Sequence, residues 1–328
     1  MLATNDNKIK WLNNDLENKH LHLELKMKKA LIYIIAAGML WGTSGIFVHY
    51  LSPYGFSPYE MSLVRGVVSF TVMALYALIF NRSLFRVRGW QILFYLGIGV
   101  TLFATASCYY SSMQLSSVST AVVLMYTAPI YVTVVSVLFM GEKFSWQKGV
   151  AIGVMLIGCC FVSGLVGGFK FDALGILIGV LSGITYAAYN ILTKLALRSG
   201  CNAISATIYG FLFMSLTALI FASPADVFAH AEEKPAITVP LLIGLGIFTF
   251  VLPYFLYTLS MRDLSAGTAS ALGIIEPMAA CVFSFALLGE KLDAFSVIGI
   301  LLILGAVFML SLSERSNTHK RDSSLRSE

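Results

Sequence analysis

Long apolar runs separated by short polar turns are the main pattern along this chain. Each run is close to the ~20 residues that an α-helix needs to cross the hydrocarbon core of a bilayer. The turns between them are rich in Gly, Pro and Ser, which favour chain reversal. Ten such runs are present, at residues 30–51, 58–80, 90–112, 117–140, 147–166, 173–196, 203–222, 238–260, 266–288 and 294–312. The pattern predicts an all-α, polytopic membrane protein with ten transmembrane helices.

Composition and charge support this location and suggest an orientation. Of the 328 residues, 58% are hydrophobic and 12% are charged, whereas soluble domains carry roughly 25% charged residues. Cytoplasmic loops of membrane proteins are enriched in Lys and Arg. With a cytoplasmic N-terminus, the outer loops hold three basic residues, Lys170, Lys234 and Lys291. The inner loops then hold eight: Arg82, Arg86, Arg88, Lys143, Lys148, Lys194, Arg198 and Arg262. We therefore predict a multi-pass protein of the cell (inner) membrane with both termini in the cytoplasm.

Several classes of protein are disfavoured. The connections leave no room for a soluble catalytic or nucleotide-binding domain, and no G-x-x-x-x-G-K-[ST] phosphate loop is present. A membrane-embedded enzyme would need clustered His, Asp, Cys or Ser groups at depth, and the five cysteines form no CxxC pair. We expect no catalytic residues, no metal, no cofactor and no nucleic-acid partner. The oligomeric state stays open.

The terminal segments differ from the apolar runs. Residues 1–29 form a mixed-charge extension that lacks the pattern of a secretory signal, and a surface helix and a flexible tail are both open. Met27, followed by two lysines, would itself make a natural start, so it is open whether residues 1–26 belong to the native protein. Residues 313–328 form a polar tail, which we place in the cytoplasm.

The chain repeats itself after 148 residues. With that shift, residues 109–163 align without gaps onto 257–311, and 16 of the 55 positions are identical. The matches include a proline and a Gly-Glu-Lys turn in each copy. We predict two five-helix repeats, 30–166 and 173–312. Because five is odd, the second repeat enters the membrane from the opposite side, an arrangement that many secondary transporters use to bind substrate near the midplane.

Several short motifs follow one another along these repeats. They are the paired "AP…GEK" and "EP…GEK" segments, "WGTSGIF" in the first run and "SPYEMSLVRG" at the start of the second. Together they resemble the EamA family of the drug/metabolite transporter superfamily, over residues 27–312. The resemblance implies a ten-helix transporter with a central cavity, often exporting amino acids or other small metabolites. The superfamily also contains sugar and nucleotide-sugar carriers, so the resemblance does not imply a substrate.

Two ionisable side chains, Arg65 and Glu276, lie well inside the predicted spans, where such groups usually mark function. Glu276 precedes Pro277, which cannot donate a backbone hydrogen bond and crowds the Gly273 carbonyl. We predict a kink with exposed carbonyls, where the carboxylate could hold an ammonium group or a coupling proton. Pro129 predicts the matching kink in the first repeat. For Arg65, a structural role, substrate binding and a charge pair with Glu276 are all open.

Aromatic and polar side chains form stripes on several runs. In the sixth run, Tyr186, Tyr189 and Asn190 share one face, and on the same face three glycines predict close helix packing: Gly175, Gly179 and Gly183. The predicted substrate-binding residues are Trp41, Tyr109, Tyr126, Tyr186, Tyr189, Asn190, Tyr254, Tyr257 and Glu276. The alternative that each tyrosine only links helices through a hydrogen bond of its hydroxyl also stays open. The Gly-Glu-Lys turns at 141–143 and 289–291 are interpreted as helix ends with a solvated Glu-Lys pair.

An aromatic-rich cavity with one acid suits a small amphipathic solute. The leading hypothesis is a secondary transporter that exports a small metabolite, such as an amino acid or amine, by alternating access within the lipid bilayer. One alternative is a carrier or facilitator for sugars, nucleotide sugars or other solutes. Another is a lipid flippase or a channel-like protein.

Overall fold

The structure is a computed structural model that describes residues 25–142, 144–165, 172–289, 291 and 293–325. These residues are predominantly helical and contain no β-strand. Along the described ranges ten apolar helices follow one another: α1 (Leu25–Tyr54), α2 (Pro58–Phe80), α3 (Gly89–Leu115), α4 (Thr120–Phe139), α5 (Trp146–Val162), α6 (Ala173–Arg198), α7 (Ala203–Ala218), α8 (Pro235–Ser260), α9 (Ala266–Leu288) and α10 (Ala294–Leu312). Eight are long and apolar enough to cross a membrane, whereas α5 and α7 are shorter, with 17 and 16 residues. The prediction of an all-α chain with many spans is confirmed.

Some predictions fall on residues that the structure does not describe. These are most of the N-terminal extension, Lys143 and Glu290 of the Gly-Glu-Lys turns, and Lys170. At the other end, the helix that contains α10 continues to Leu325. The segment that we predicted as a polar tail is therefore helical up to that residue.

The helices α4 and α9 are each broken beside a proline. The break divides α4 into the helical segments Val118–Met125, which begins two residues before the apolar span, and Ala128–Phe139. It divides α9 into Ala266–Leu272 and Ile275–Leu288. Proline has no N–H for the helical hydrogen bond to the carbonyl four residues back. The chain passes each break through a tighter turn of the three-residue type: the Thr127 amide donates to the Leu124 carbonyl at 3.2 Å, and the Ile274 amide donates to the Ala271 carbonyl at 3.1 Å.

The two broken helices also share their ends. Ser117 Oγ accepts a hydrogen bond from the Thr120 amide at 3.1 Å, and Ser265 Oγ accepts one from the Thr268 amide at 3.2 Å. A serine in this position satisfies an amide that the first helical turn leaves without a partner. Each helix is followed by a glycine in the left-handed region, which other residues rarely adopt: Gly141 (φ 67°) and Gly289 (φ 70°). The sequence repeat therefore reappears as the same cap, break and terminal turn.

The glycine stripe of α6 packs against α3 and α4, as the sequence predicts. A Cβ atom added to Gly179 would lie 2.7 Å from Ser112 Oγ, and one added to Gly183 would lie 2.7 Å from the Leu124 carbonyl oxygen. Ser112 Oγ also donates to the Gly175 carbonyl at 2.7 Å. This close packing fixes the face of α6 that carries the tyrosines further along the helix.

The helix α8 changes its winding just before Pro253. Residues Ile247–Val251 form a π turn, a form that often occurs at functional sites. The turn precedes the helical segment Leu252–Ser260, which carries Tyr254 and Tyr257. The irregular winding of α8 thus lies directly beside two of the predicted site residues.

Candidate functional site

The breaks of α4 and α9 meet through one hydrogen bond. Tyr126 lies at the break of α4, and its hydroxyl donates to Glu276 Oε2 at 2.6 Å. Glu276 lies in the first turn after the break of α9, and its amide donates to the Gly273 carbonyl at 3.0 Å. The prediction that Pro277 leaves the Gly273 carbonyl exposed is therefore wrong, because the tight turn supplies a donor one residue earlier. The acid of one repeat is held by a phenol of the other.

Arg65 of α2 is buried with only part of its hydrogen-bonding capacity used. Its Nη1 donates to the Tyr110 hydroxyl at 2.5 Å, and its guanidinium carbon lies 5.4 Å from the centre of the Phe250 ring. The Nε and Nη2 atoms are buried and have no hydrogen-bond partner among the described residues. Within the described structure no ion pair joins Arg65 to Glu276, so the predicted charge pair is not formed in this conformation. Two donors of Arg65 remain for another group.

Four rings form what we call the aromatic cluster: Trp41 of α1, Tyr189 of α6, and Tyr254 and Tyr257 of α8. Trp41 lies 5.0 Å from Tyr254 and 5.2 Å from Tyr257, and Tyr189 lies 5.7 Å from Tyr254, between ring centroids. These separations are typical of favourable edge-to-face and offset ring contacts. Tyr186 stacks on Tyr189 at 6.1 Å. The structure therefore brings together predicted residues from three separate helices.

The cluster extends towards both ionisable residues. Phe250 packs 4.9 Å from Tyr254 and also lies under the Arg65 guanidinium. On the other side, the Tyr186 hydroxyl lies 3.4 Å from where a Cβ of Gly273 would stand, one turn before Glu276. A series of ring contacts thus runs from Arg65 to the residues beside Glu276.

Two further predicted residues contact neighbours of this group. Asn190 is fully buried, its Oδ1 accepts from the Tyr257 hydroxyl, and its Nδ2 donates to the Tyr186 carbonyl at 2.7 Å. Both ends of the amide are therefore engaged within the protein. Tyr109 of α3 contacts the ring of Tyr110 at 5.5 Å, next to the partner of Arg65.

A small void lies beside the cluster, between α3, α6, α7 and α8. Its volume is about 10 Å³, and Tyr189, Thr193, Tyr254 and Thr258 are among its lining residues. A space of this size holds about one water molecule. In this conformation the rings contact one another where the central cavity was predicted.

Tyr110 and Phe250 were not among the predicted site residues. Phe250 stands four residues before Tyr254 and seven before Tyr257, so the helical spacing already used for the stripes would have found it. Tyr110 gave no such signal, because its contact with Arg65 joins residues that lie 45 positions apart.

A second group of charges, which we call the Glu142 cluster, joins the two repeats at one end of the helices. Glu142 Oε1 accepts from the Ala266 amide at 3.2 Å and lies 3.5 Å from Arg198 Nη2, and its Oε2 lies 3.7 Å from Lys148 Nζ. Lys148 Nζ also donates to Ser265 Oγ at 3.0 Å. The Glu142 side chain is 8% exposed, so the interpretation of Glu142 as a solvated group is wrong, whereas its neighbour Lys143 lies outside the described residues. No group of three His, Cys, Asp or Glu in the described part of the chain could hold a metal ion.

Comparison with known proteins gives this arrangement a context. The EamA-like transporter family matches residues 28–164 and, a second time, residues 173–312. The chain belongs to the EamA-like transporter family. Each of the two family matches contains one of the broken helices, so the contact between Tyr126 and Glu276 joins the two EamA units.

The relatives of this EamA-like chain are named as transporters without a stated substrate. An uncharacterized transporter of Archaeoglobus fulgidus is 27% identical over 225 residues, which cover 65% of this chain and 74% of the relative. One of Clostridium kluyveri is 23% identical over 90% of this chain and 97% of the relative, and YwfM of Bacillus subtilis is 21% identical over 87% and 94%. A crystal structure with 18% identity superposes with a TM-score of 0.72 over 88% of this chain and 98% of the other, which shows a shared fold. The protein is a multi-pass membrane transporter.

Proposed function

We propose that this EamA-like transporter is a secondary carrier that exports a small metabolite with an ammonium group, such as an amino acid or amine. The observation that carries the proposal is the Glu276 carboxylate, which stands where the two broken helices meet. A carboxylate inside a membrane needs donors or a cation to offset its lost hydration. Tyr126 supplies one donor, and a substrate ammonium group would supply the rest. The neighbouring Tyr and Trp rings would also attract a cation.

Arg65 favours an amino acid over a simple amine. Two of its guanidinium nitrogens are buried without a partner, and an unsatisfied buried donor costs about 1–3 kcal/mol. A substrate carboxylate could satisfy both nitrogens at once, because guanidinium and carboxylate groups form paired hydrogen bonds. The rings of Phe250 and Tyr254 would then contact the apolar part of the solute.

Alternating access requires that the helices rearrange, and the repeat supports such a change. The proposal includes ten membrane crossings arranged as two inverted five-helix repeats, 30–166 and 173–312, with both termini in the cytoplasm. At 1.5 Å per residue the two short helices, α5 and α7, are about 24–26 Å long, close to the ~30 Å hydrocarbon core. A modest local thinning of the bilayer would let them cross. The Glu142 cluster would then hold the cytoplasmic end closed in this conformation.

Glu276 would also couple transport to a proton. When the ammonium group leaves, the carboxylate loses its cation, and uptake of a proton would neutralise it. Carboxylates in membrane spans commonly form such proton relays. Export of the substrate would then be linked to entry of a proton.

The proposal is tested by counterflow in proteoliposomes that contain the purified full-length protein. Labelled amino acids are compared with the matching hydroxy acids, which lack the ammonium group, and the matching amines, which lack the carboxylate. We expect saturable exchange of at least one amino acid, weaker exchange of its amine and little of its hydroxy acid. Empty liposomes provide the baseline.

Three results would contradict the proposal in different ways. Exchange of the hydroxy acid at the same rate as the matching amino acid would contradict the role of the substrate ammonium group. Exchange of sugars or nucleotide sugars alone would place the protein with other carriers of the superfamily. Movement of labelled lipid, or non-saturable leakage, would indicate a flippase or a channel-like protein.

A further inference from the structure

A second and larger cavity opens at the ends of α6, α7 and α8. Its volume is about 470 Å³, within the range of small-ligand sites. It is lined by three basic residues and no acidic one: Lys194, Arg198 and Arg262. The positive-inside prediction counted these residues only as signs of orientation, but the fold gathers them around one space.

Each of the three cations is held in a different way. The Arg262 side chain is exposed and forms no hydrogen bond or ion pair with any residue that the structure describes. Arg198 donates from Nη1 to the Met140 carbonyl at 2.8 Å, its Nη2 lies 3.5 Å from Glu142 Oε1, and its side chain is 43% exposed. Lys194 is buried, and its Nζ donates to the Met261 carbonyl at 2.5 Å and the Leu264 carbonyl at 2.6 Å. The buried Lys194 therefore gives the wall of the pocket a fixed positive charge, and the side chains of Arg198 and Arg262 extend into solvent.

The start of α7 adds to this positive potential. Asn202 Oδ1 accepts from the Ile204 amide at 2.8 Å and from the Ser205 amide at 3.3 Å, so these two amides are already satisfied. The helix dipole nevertheless favours a negative charge near this end. Asn202 itself also lines the cavity.

The remaining wall is apolar. Leu197, Ile204 and Leu259 line the same cavity, beside the cationic groups. A free inorganic ion needs only the charges, whereas a lipid headgroup joined to glycerol and acyl chains would use both parts. Basic pockets between membrane helices on the cytoplasmic side are suited to anionic headgroups.

We propose that this basic pocket binds the phosphate group of an anionic ligand, with a phospholipid headgroup as the source that its mixed lining favours. Arg262 would bind the phosphate oxygens, since guanidinium groups match phosphate geometry. Arg198 would add the N–H donors that its contacts with Met140 and Glu142 leave. Lys194 would attract the phosphate electrostatically from its buried position in the wall of the pocket. The pocket is separate from the Glu276 site, because the small void beside the aromatic cluster lies between them along α6 and α8.

Thermal-shift titration of the purified full-length protein in neutral detergent tests the proposal. Three probes are compared: short-chain phosphatidylglycerol, short-chain phosphatidylcholine and glycerol 3-phosphate. The variant is Arg262→Gln, and the matched control is Arg86→Gln, which removes an exposed arginine of the loop between α2 and α3. We expect phosphatidylglycerol, but not phosphatidylcholine, to raise the Tm of the wild type. Its Kd should rise about tenfold in Arg262→Gln, as for one lost charge-assisted hydrogen bond, and stay unchanged in Arg86→Gln.

Each other outcome has a defined meaning. A shift by glycerol 3-phosphate with the same dependence on Arg262 supports the phosphate site and identifies a soluble phosphate compound as its source. No shift with either anionic probe overturns the proposal. An equal loss in Arg262→Gln and Arg86→Gln also overturns it, because the binding would then follow overall charge.

Discussion

The broken helices α4 and α9 occupy equivalent places in the two repeats, and they share nearly every local feature. Both begin at a serine cap, break beside a proline and are followed by a left-handed glycine. With the shift of 148 residues, however, Tyr126 in α4 corresponds to Ile274 in α9, and Ala128 corresponds to Glu276. The two copies therefore differ at the break itself.

These two differences complement each other. The phenol that only α4 has at its break donates to the carboxylate that only α9 has. The comparison teaches that the repeat supplies the scaffold, in the form of caps and breaks, and that divergence of the copies supplies the polar contact. Breaks that carried only carboxylates could not form this contact, because the two acids would repel, and breaks that carried only tyrosines would lack the acid.

A second difference lies at the caps. Ser265 of α9 accepts a hydrogen bond from Lys148 and stands beside the Glu142 cluster. Ser117 Oγ, by contrast, hydrogen-bonds to the amide and the hydroxyl of Thr120 in its own helix. The end of the molecule with the Glu142 cluster is thus tied across the repeats by charges.

The largest effect concerns the proposed inverted arrangement of the two repeats. Cysteines placed at Lys143→Cys and Lys291→Cys, in a background without the five native cysteines, should react with a membrane-impermeant maleimide from opposite sides. The two turns occupy equivalent positions in the two repeats. Because each proposed repeat crosses the membrane five times, which is an odd number, equivalent turns should lie on opposite sides. Labelling of intact cells and of inverted vesicles gives an all-or-none answer. Lys234→Cys is the control for the outer side, and labelling of 143 and 291 from the same side would contradict the inverted arrangement.

The next largest effect is expected for the acid that only α9 carries. Glu276→Gln keeps the shape and the acceptor for Tyr126 but removes the charge. Exchange should fall by about 10- to 100-fold, as for the loss of one charge-assisted hydrogen bond of ~1.5–3 kcal/mol. Initial rates of counterflow at several pH values measure this, with the exposed Glu232→Gln as the control. Exchange with unchanged rate and pH dependence would refute both roles proposed for the carboxylate.

A smaller effect is expected for the phenol that only α4 carries. Tyr126→Phe removes one donor while Glu276 stays charged, so the half-saturating substrate concentration should change by up to about tenfold. Tyr131→Phe on the same helix is the matched control, because no described residue hydrogen-bonds to its hydroxyl. The double variant with Glu276→Gln should show less than the sum of the two single effects, since the two residues share one contact. Strict additivity would argue against their acting as a pair.

The sequence predicted the local features of both helices but not the contact between them. Proline and the terminal glycines act through their own backbone, so the positions of the breaks and turns can be derived from single residues. The contact between Tyr126 and Glu276 joins residues 150 positions apart. With 15 tyrosines in the chain, periodicity places several near the centre and does not select the one that meets the acid.

The interpretation of Glu142 failed for a related reason. A Glu-Lys pair in a short loop is usually solvated, and the local sequence contains nothing that contradicts this. One of its partners is the amide of Ala266, 124 positions away, at the start of α9. A buried partner from the other repeat becomes visible only once the helices are packed.

The smallest expected effect is the difference in stability between alanine variants of the two serine caps. Loss of an N-cap costs typically ~1 kcal/mol, so Ser117→Ala should lower stability by about that amount. Ser265→Ala should cost about 1–2 kcal/mol more, because it also removes the acceptor of Lys148. Thermal and denaturant unfolding in detergent compare the two, with Ser311→Ala, whose hydroxyl donates to the Val307 carbonyl of its own helix, as the matched control. Equal losses at the two caps would show that Lys148 adds nothing at Ser265, and that the charges joining the repeats act through Glu142 alone.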